Sequence, residues 1–198
     1  MAFNRRDIEF LYEVGSLRNM PRAWRQSLGV GVANDLEHTF RVAWIALVLA
    51  ERVGGVDEGK MLKMALAHDI AETRTGDQNY TNAVYVEADE GRAIRDIFAG
   101  TSFEQSLTGT LREYEARESM EAQLVKDADN IDVDLELREL EERGSQLPRK
   151  WRAFRQQVRN EKLYTDAARD LWDALDEVDV ADWHLQANKW LQIPEAGR

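Results

Sequence analysis

Residues 22–147 contain no proline, and this interval constrains the fold more strongly than any other feature of the sequence. A proline inside a helix removes a backbone hydrogen bond and clashes with the preceding turn, so its absence leaves long helices possible. The interval is also rich in Ala, Leu, Glu and Arg, which favour helix. Alternation of apolar and polar residues, typical of a strand, is confined to one short β-like piece at 83–88. We therefore expect an all-α fold.

Length and charge narrow the class of protein. The 198 residues fit one domain spanning 1–198, with no visible repeat or linker. The chain has no cysteine, which excludes disulfides and thiolate metal sites, and we expect a cytoplasmic protein. The N-terminus lacks the apolar segment of a signal peptide, and no apolar run approaches the ~20 residues that span a membrane. The net charge of −11, without a broad cationic cluster, argues against a nucleic-acid partner.

Periodicity and capping signals divide the chain into helices. A first helix is expected over Arg5–Leu17, with Ile8, Leu11, Tyr12 and Leu17 on its apolar stripe. Asn34 and Glu37 have the spacing of a capping box, and the helix that they begin should end at the glycines 54–55. Further helices are expected at about 57–73, 87–99, 103–143 (as one helix or two), 148–160 and 161–190. Core candidates in the last two are Trp151, Phe154, Leu163, Leu171, Trp172, Leu175 and Trp183.

The His68-Asp69 step is the most informative pair of side chains. On a continuous helix, Glu72 follows His68 by four residues and Asp69 by three, so all three lie toward one face. The neighbouring residues are apolar, which indicates that this face is buried. Because an ionised carboxylate is costly to bury without a partner, the step predicts a metal site. The alternative is a His-Asp hydrogen bond that only orients a core histidine.

Three other segments have a functional and a structural interpretation. Residues 18–25 place three arginines and Trp24 around Pro21, which suits an anion-and-ring contact surface or a loop whose tryptophan fills the core. His38 lies in the first turn of its helix and, taken alone, fits a hydrogen-bonded structural histidine. The segment 124–132 places acidic residues among apolar ones, as either ligands or a solvated acidic face.

Taken together, four motifs resemble the HD-domain superfamily of metal-dependent phosphohydrolases, an all-α fold. They are Pro21-Arg22-Ala23-Trp24, Glu37-His38-Thr39, His68-Asp69-Ile70-Ala71-Glu72 with Gly76-Asp77, and Val125-Lys126-Asp127-Ala128-Asp129. The closer match is the branch that contains the bacterial 5′-deoxynucleotidases and their eukaryotic HD-domain relatives. The motif-bearing core covers about 8–140, and helices 148–190 look like family variation.

The resemblance implies the metal ligands. They are His38, His68, Asp69 and the aspartate of a Lys-x-x-Asp motif, which is Asp129, with Asp127 as the competing choice. Two imidazoles and two carboxylates suit a six-coordinate divalent ion. Relatives with two metals recruit further histidines, and none lies between residues 68 and 184. We therefore expect one divalent metal ion: Mn, Co, Fe, Zn or Mg.

The resemblance also implies roles around the metal. Glu72 would handle the proton of the water or of the leaving group. Asp77 would position Glu72 or the water, or else cap the next segment. Arg22 would hold the phosphate, although Arg18 or Arg25 could do the same work. Trp24 would lie against the sugar, where it could exclude a 2′-hydroxyl.

The implied function is hydrolysis of nucleoside 5′-monophosphates, with 2′-deoxyribonucleotides preferred, by a homodimer. The alternatives are hydrolysis of another small phosphate ester (a cyclic nucleotide or a nucleoside triphosphate) and nucleotide binding without catalysis.

Overall fold

The computed structural model describes residues 3–187 and shows a helical protein. The helices are α1 (Arg5–Gly15), α2 (Arg25–Leu28), α3 (Asp35–Val53), α4 (Glu58–Ala67), α5 (Glu72–Thr75), α6 (Glu90–Phe98), α7 (Glu104–Ala116), α8 (Met120–Glu142), α9 (Leu147–Glu161), α10 (Asp166–Ala174) and α11 (Asp182–Ala187). Residues 3–187 contain no β-strand, only an isolated bridge between Pro21 and Asn34. The all-α prediction is confirmed. The β-like piece at 83–88 does not form a strand, because a 3₁₀ turn at Asn82–Val84 and irregular chain occupy this region.

Helices α3, α4 and α8 form the centre of the fold, and each packs against the other two. Their facing side chains are apolar at helical spacing, so each helix buries one stripe. The fully buried residues of these three stripes include Val42, Ala46, Leu49, Met61, Met64, Leu124, Val125, Ala128 and Ile131. Burying each of the Val, Leu, Ile and Met side chains among them stabilises the fold by about 1.5–3 kcal/mol. This core fixes the helix ends that carry the polar residues described below.

The predicted capping box is present at the start of α3. The Asn34 side chain accepts a hydrogen bond from the Glu37 amide at 2.9 Å, and the Glu37 carboxylate accepts one from the Asn34 amide at 3.1 Å. Helix α3 ends at Gly54, whose φ of 73° is a left-handed conformation that favours glycine. The sequence therefore determines both ends of α3, and with them the position of His38 in the first turn.

The predicted helix over 57–73 is wrong in its second half. Asp57 caps α4 as expected, but α4 ends at Ala67 and Glu72 begins the separate helix α5. Between them the chain tightens, because the amides of Ile70 and Glu72 bond to carbonyls three residues back instead of four. His68, Asp69 and Glu72 thus lie on a tight turn at the helix end, not along one helical face.

The predicted apolar stripe of α1 is wrong except at Leu17, which is buried in the 3₁₀ turn that follows α1. Tyr12 is 80% exposed, and Ile8 and Leu11 are exposed as well. Helix α1 instead packs through Phe10 and Val14, and the Phe10 ring lies 4.8 Å from that of Phe103. Both sets of residues have helical spacing, so periodicity alone cannot choose between the two faces.

The C-terminal half is more divided than expected. The 103–143 segment forms two helices separated at Arg117, a left-handed residue with φ 57°. The 161–190 helix is broken into α10, a 3₁₀ turn and α11, and its last residues lie outside the described part of the chain. Leu163 is buried, and Leu171 and Trp172 pack against the core, while Trp151 and Leu175 are half-buried. Phe154 (44% exposed) and Trp183 (74% exposed) are not core residues.

Within residues 3–187, no helix is both long enough and apolar enough to cross a membrane.

Candidate functional site

His38 is held in a fixed orientation by a carboxylate behind it. The capping box places it in the first turn of α3, where it is 1% exposed. Its Nδ1 lies 2.6 Å from Oδ2 of Asp132, and Arg41 pairs with the other oxygen of that carboxylate. Because a carboxylate only accepts hydrogen bonds, Nδ1 of His38 carries the proton and Nε2 points into the site.

His68 is oriented in the same way by the backbone. Its Nδ1 donates to the carbonyl oxygen of Ala65 at 2.8 Å, so Nε2 is the ring nitrogen that faces the site. This nitrogen lies 3.3 Å from Nε2 of His38 and 3.2 Å from Oδ2 of Asp69. The Asp69 oxygen in turn lies 3.3 Å from Nε2 of His38. Three electron-pair donors therefore meet at one point.

This donor set fits a divalent metal ion. Two unshared imidazole pairs and a carboxylate oxygen repel one another at these distances unless a cation or a proton lies between them. Burial and the charge of Arg22 act to lower the pKa of His38, but hydrogen bonds with Asp129, Asp132 and Asp69 raise it well above its ordinary value. Mixed imidazole and carboxylate ligands are typical of first-row divalent metals.

Asp129, and not Asp127, lies at this cluster. Oδ1 of Asp129 is 3.3 Å from Nε2 of His38, and its Oδ2 accepts a hydrogen bond from Lys126 at 2.7 Å. Burial opposes ionisation of Asp129, yet the Lys126 charge and the His38 hydrogen bond lower its pKa well below the ordinary value. Asp127 faces the other way, where it accepts hydrogen bonds from the chain between α9 and α10, at the amides of residues 164 and 165.

A second acidic group lies beside the first and surrounds one arginine. Donor oxygens of Asp35, Glu72 and Asp77 lie within 4.8 Å of one another. The buried guanidinium of Arg22 joins the two groups: its Nη1 donates to Asp69 at 3.1 Å and lies 3.8 Å from Glu72, while its Nε lies 3.4 Å from Asp77. Asp77 also accepts a hydrogen bond from the Ala23 amide at 2.7 Å.

Of the three candidate arginines, the structure brings only Arg22 to the site. Arg18 is exposed and donates to the carbonyl of Gly15, and Arg25 is exposed on α2.

Glu72 lies in surroundings that favour its protonated form. Burial and the charges of Asp69 and Asp77 raise its pKa to about 10, and Arg22 only partly compensates. Burial also raises the pKa of Asp35 to about 6. Neither Asp35 oxygen, nor Oε2 of Glu72, has a hydrogen-bond partner in the described part of the chain. A buried carboxyl with a raised pKa next to an arginine is suited to proton transfer.

Trp24 does not fill the core. It is half-buried, and its ring centroid lies 5.3 Å from that of Tyr80 and 5.7 Å from that of Trp151. Arg22, two residues earlier, is in the acidic group, so one short segment supplies both the cation and the ring.

Sequence reasoning missed the roles of Asp132, Asp35 and Arg41. Asp132 is 1% exposed, lies one turn after Asp129 and forms a hydrogen bond with His38. Its only signal in the sequence was an acidic residue among apolar neighbours. Asp35 looked like an ordinary first-turn acid next to the capping residue, yet it is fully buried beside Arg22. Arg41 lies one turn after His38 and neutralises Asp132.

Comparison with known proteins shows the family of the chain. Residues 14–181 match the family described as HD domain. The chain is similar to 5′-deoxynucleotidase HDDC2 of Dictyostelium discoideum, at 30% identity over 155 residues that cover 72% of this chain and 82% of that protein. It is similar to the protein of the same name from Danio rerio, at 27% identity over 142 residues covering 68% and 70%.

Two solved structures share the fold. One is a conserved hypothetical protein from Pyrococcus furiosus, with a TM-score of 0.74, 25% identity and coverage of 86% of this chain and 99% of that one. The other is a predicted metal-dependent phosphohydrolase from Magnetospirillum magnetotacticum, with a TM-score of 0.69, 25% identity and coverage of 87% and 90%.

The chain therefore belongs to the HD-domain family. Within that family it is a metal-dependent phosphohydrolase, which confirms the resemblance inferred from the four sequence motifs.

Proposed function

We propose that the protein hydrolyses nucleoside 5′-monophosphates, with 2′-deoxyribonucleotides preferred, to nucleoside and phosphate. The observation that carries this proposal is the contact between the two groups of the site. Nη1 of Arg22 lies 3.1 Å from Asp69 of the metal-ligand group and 3.8 Å from the proton-holding Glu72. The anion-binding Arg22, the metal-ligand group and the proton donor Glu72 are thus close enough together to contact the same phosphate. The names of the curated relatives support the choice of substrate.

We assign the metal to His38, His68, Asp69 and Asp129, as one divalent ion for each chain. Such an ion, when bound, polarises phosphoryl oxygens and lowers the pKa of a bound water toward neutrality. The arginine beside it supplies a planar fork that matches two phosphate oxygens.

Glu72 is the proton carrier in this proposal. Its protonated carboxyl donates to the 5′-oxygen of the nucleoside as the P–O bond breaks, and the resulting carboxylate accepts a proton from the attacking water. Asp77 positions Arg22: it is held by the Ala23 amide and contacts the guanidinium Nε. Trp24 lies two residues from Arg22, where its ring faces the sugar of a nucleotide whose phosphate is bound to that arginine.

The test is phosphate release from a panel of ribo- and deoxyribonucleoside 5′-monophosphates, with Mn²⁺, Co²⁺ or Mg²⁺ added after chelator treatment. We expect metal-dependent release of inorganic phosphate, faster from the deoxy substrates. Release of tripolyphosphate from nucleoside triphosphates, with monophosphates untouched, would assign a triphosphohydrolase instead. Glu72→Ala should retain the metal and lose most turnover, whereas Asp69→Ala should lose both. Full activity of Glu72→Ala would overturn its assigned role.

We also propose that the protein forms a homodimer through α3. Leu36, Phe40, Trp44 and Val48 recur every four residues on one face and are 39%, 64%, 58% and 57% exposed. None of the elements in residues 3–187 covers this apolar row, and a second copy would bury it in an isologous contact.

Sedimentation should show a dimer for the wild type and a monomer for Trp44→Glu. Tyr12→Glu, which changes a more exposed aromatic residue of α1, should remain dimeric. A monomeric wild type would refute the dimer.

A further inference from the structure

A cavity of about 520 Å³ opens beside the candidate active site and is walled by four aromatic rings. The rings form a chain in which Trp24 contacts Tyr80 and Trp151, and Tyr80 contacts Phe154 at 5.4 Å between centroids. The volume lies within the range of small-molecule binding sites. The faces of aromatic side chains bind flat aromatic ligands by stacking.

The cavity adjoins the phosphate-binding end of the proposed site. The lining residue Trp24 follows Arg22 by two residues, and the lining residue Asn79 follows Asp77 by two. Two residues of extended chain span about 7 Å, so both lining residues lie within that distance of the acidic group along the backbone. On α8, the lining residue Val133 follows Asp129 by four residues, a rise of about 6 Å. One sugar can bridge a phosphate at the active site and a ring in the cavity.

The far wall comes from helix α9, to which neither the sequence motifs nor the proposed mechanism assigns any role. Lys150, Trp151 and Phe154 line the cavity from this helix. The buried Arg155 fixes α9 on α8, because its guanidinium donates to both carboxylate oxygens of Asp134, at 2.9 and 2.7 Å. The aromatic wall is thus preorganised in the absence of ligand.

The rim of the cavity carries hydrogen-bond donors for the edge of a ring. The Lys150 ammonium has no ion-pair partner within residues 3–187. Gln26 accepts a hydrogen bond from Asn79 at 3.0 Å, which directs the amide nitrogen of Gln26 away from Asn79. Donors around stacked rings suit the oxygen and nitrogen acceptors of a nucleobase.

We infer that this cavity is the nucleobase subsite and that Trp151 of α9 is its stacking residue. The inference rests on the proposed function, because it places the phosphate of the same nucleotide at Arg22. It identifies the base, and not only the sugar phosphate, as a source of substrate affinity.

The experiment compares 2′-deoxyadenosine 5′-monophosphate with 2-deoxyribose 5-phosphate, which lacks the base. Stacking of a base on an aromatic side chain corresponds to a roughly 5- to 150-fold effect. We expect the kcat/KM for 2′-deoxyadenosine 5′-monophosphate, divided by that for 2-deoxyribose 5-phosphate, to fall by this factor in Trp151→Ala. The fall should come from a higher KM for the nucleotide. Trp151→Phe, which keeps a stacking face, should stay within about threefold of the wild type. Trp183→Ala, an exposed tryptophan of α11 outside this cavity, should keep the wild-type ratio.

A wild-type ratio in Trp151→Ala would overturn the base subsite. Failure of the proposed function is a separate result, namely that neither substrate releases phosphate with any metal. In that event, calorimetric titration of the chelated protein with 2′-deoxyadenosine 5′-monophosphate still decides the question. Weaker binding to Trp151→Ala than to Trp183→Ala would support the subsite, and equal binding would refute it.

Discussion

Replacing Asp132 by Asn removes the charge that supports His38 and changes almost nothing in size. The carboxylate is 1% exposed, and its two oxygens accept hydrogen bonds from His38 Nδ1 at 2.6 Å and from Arg41 Nε. An amide offers one oxygen to these two donors and turns its NH₂ group toward the other. The imidazole therefore becomes a weaker base at Nε2 and is less firmly oriented.

Loss of such an outer carboxylate typically weakens metal affinity 10- to 100-fold, which corresponds to about 1.4–2.7 kcal/mol. We expect this factor for Asp132→Asn in a competition titration of Co²⁺ or Mn²⁺ against a chelating dye. The matched control is Glu139→Gln, because Glu139 accepts from the same Arg41 at 2.7 Å and is not a partner of His38. The control should bind metal within about twofold of the wild type. Wild-type affinity in Asp132→Asn, or an equal loss in the control, would refute the reasoning.

Three further predictions concern ligand choice, pH and packing. Asp129→Asn should lose metal, whereas Asp127→Asn should bind it normally and lose about 1–3 kcal/mol of stability; metal loss in Asp127→Asn would reverse the assignment. Burial and neighbouring carboxylates raise the pKa of Glu72 from 4.5 unfolded to about 10 folded, so its protonated form stabilises the fold, and that contribution is lost as pH rises between these values. The free energy of unfolding of chelated Glu72→Gln should therefore exceed that of the wild type by a margin that grows from pH 5 to pH 8, by at most about 4 kcal/mol for one proton; a constant margin would contradict the raised pKa. Arg155→Ala should cost about 3–5 kcal/mol because it leaves a buried carboxylate unpaired, whereas Arg152→Ala, at 68% side-chain exposure, should cost under about 1 kcal/mol in urea unfolding; equal losses would contradict the burial argument.

The sequence was sufficient where the signal is local. Asn34 and Glu37 predicted the start of α3 correctly, because a capping box is decided by side chains three residues apart. The break after Ala67 had no such signal: no glycine or proline marks it, and the turn is set by the tight hydrogen bonds around Asp69. The residues of this turn are also held by contacts distant in sequence, such as the hydrogen bond from Arg22 to Asp69, which no local pattern shows.

The same limit applies to the site. The motifs predicted that His38, His68, Asp69 and Asp129 belong together, and the structure brings them together. Asp132 could not be assigned, because helical spacing places it on the same stretch as Asp129 and only the fold shows that it lies behind His38.

The most direct test of the account is a titration of chelated protein with Co²⁺ while phosphate release from a deoxyribonucleoside 5′-monophosphate is recorded. We predict no release at zero metal and a rise that saturates at one ion for each chain. Asp69→Ala should remain inactive throughout. Full phosphate release in the chelated wild type, or metal-dependent release in Asp69→Ala, would contradict a catalytic metal held by these residues.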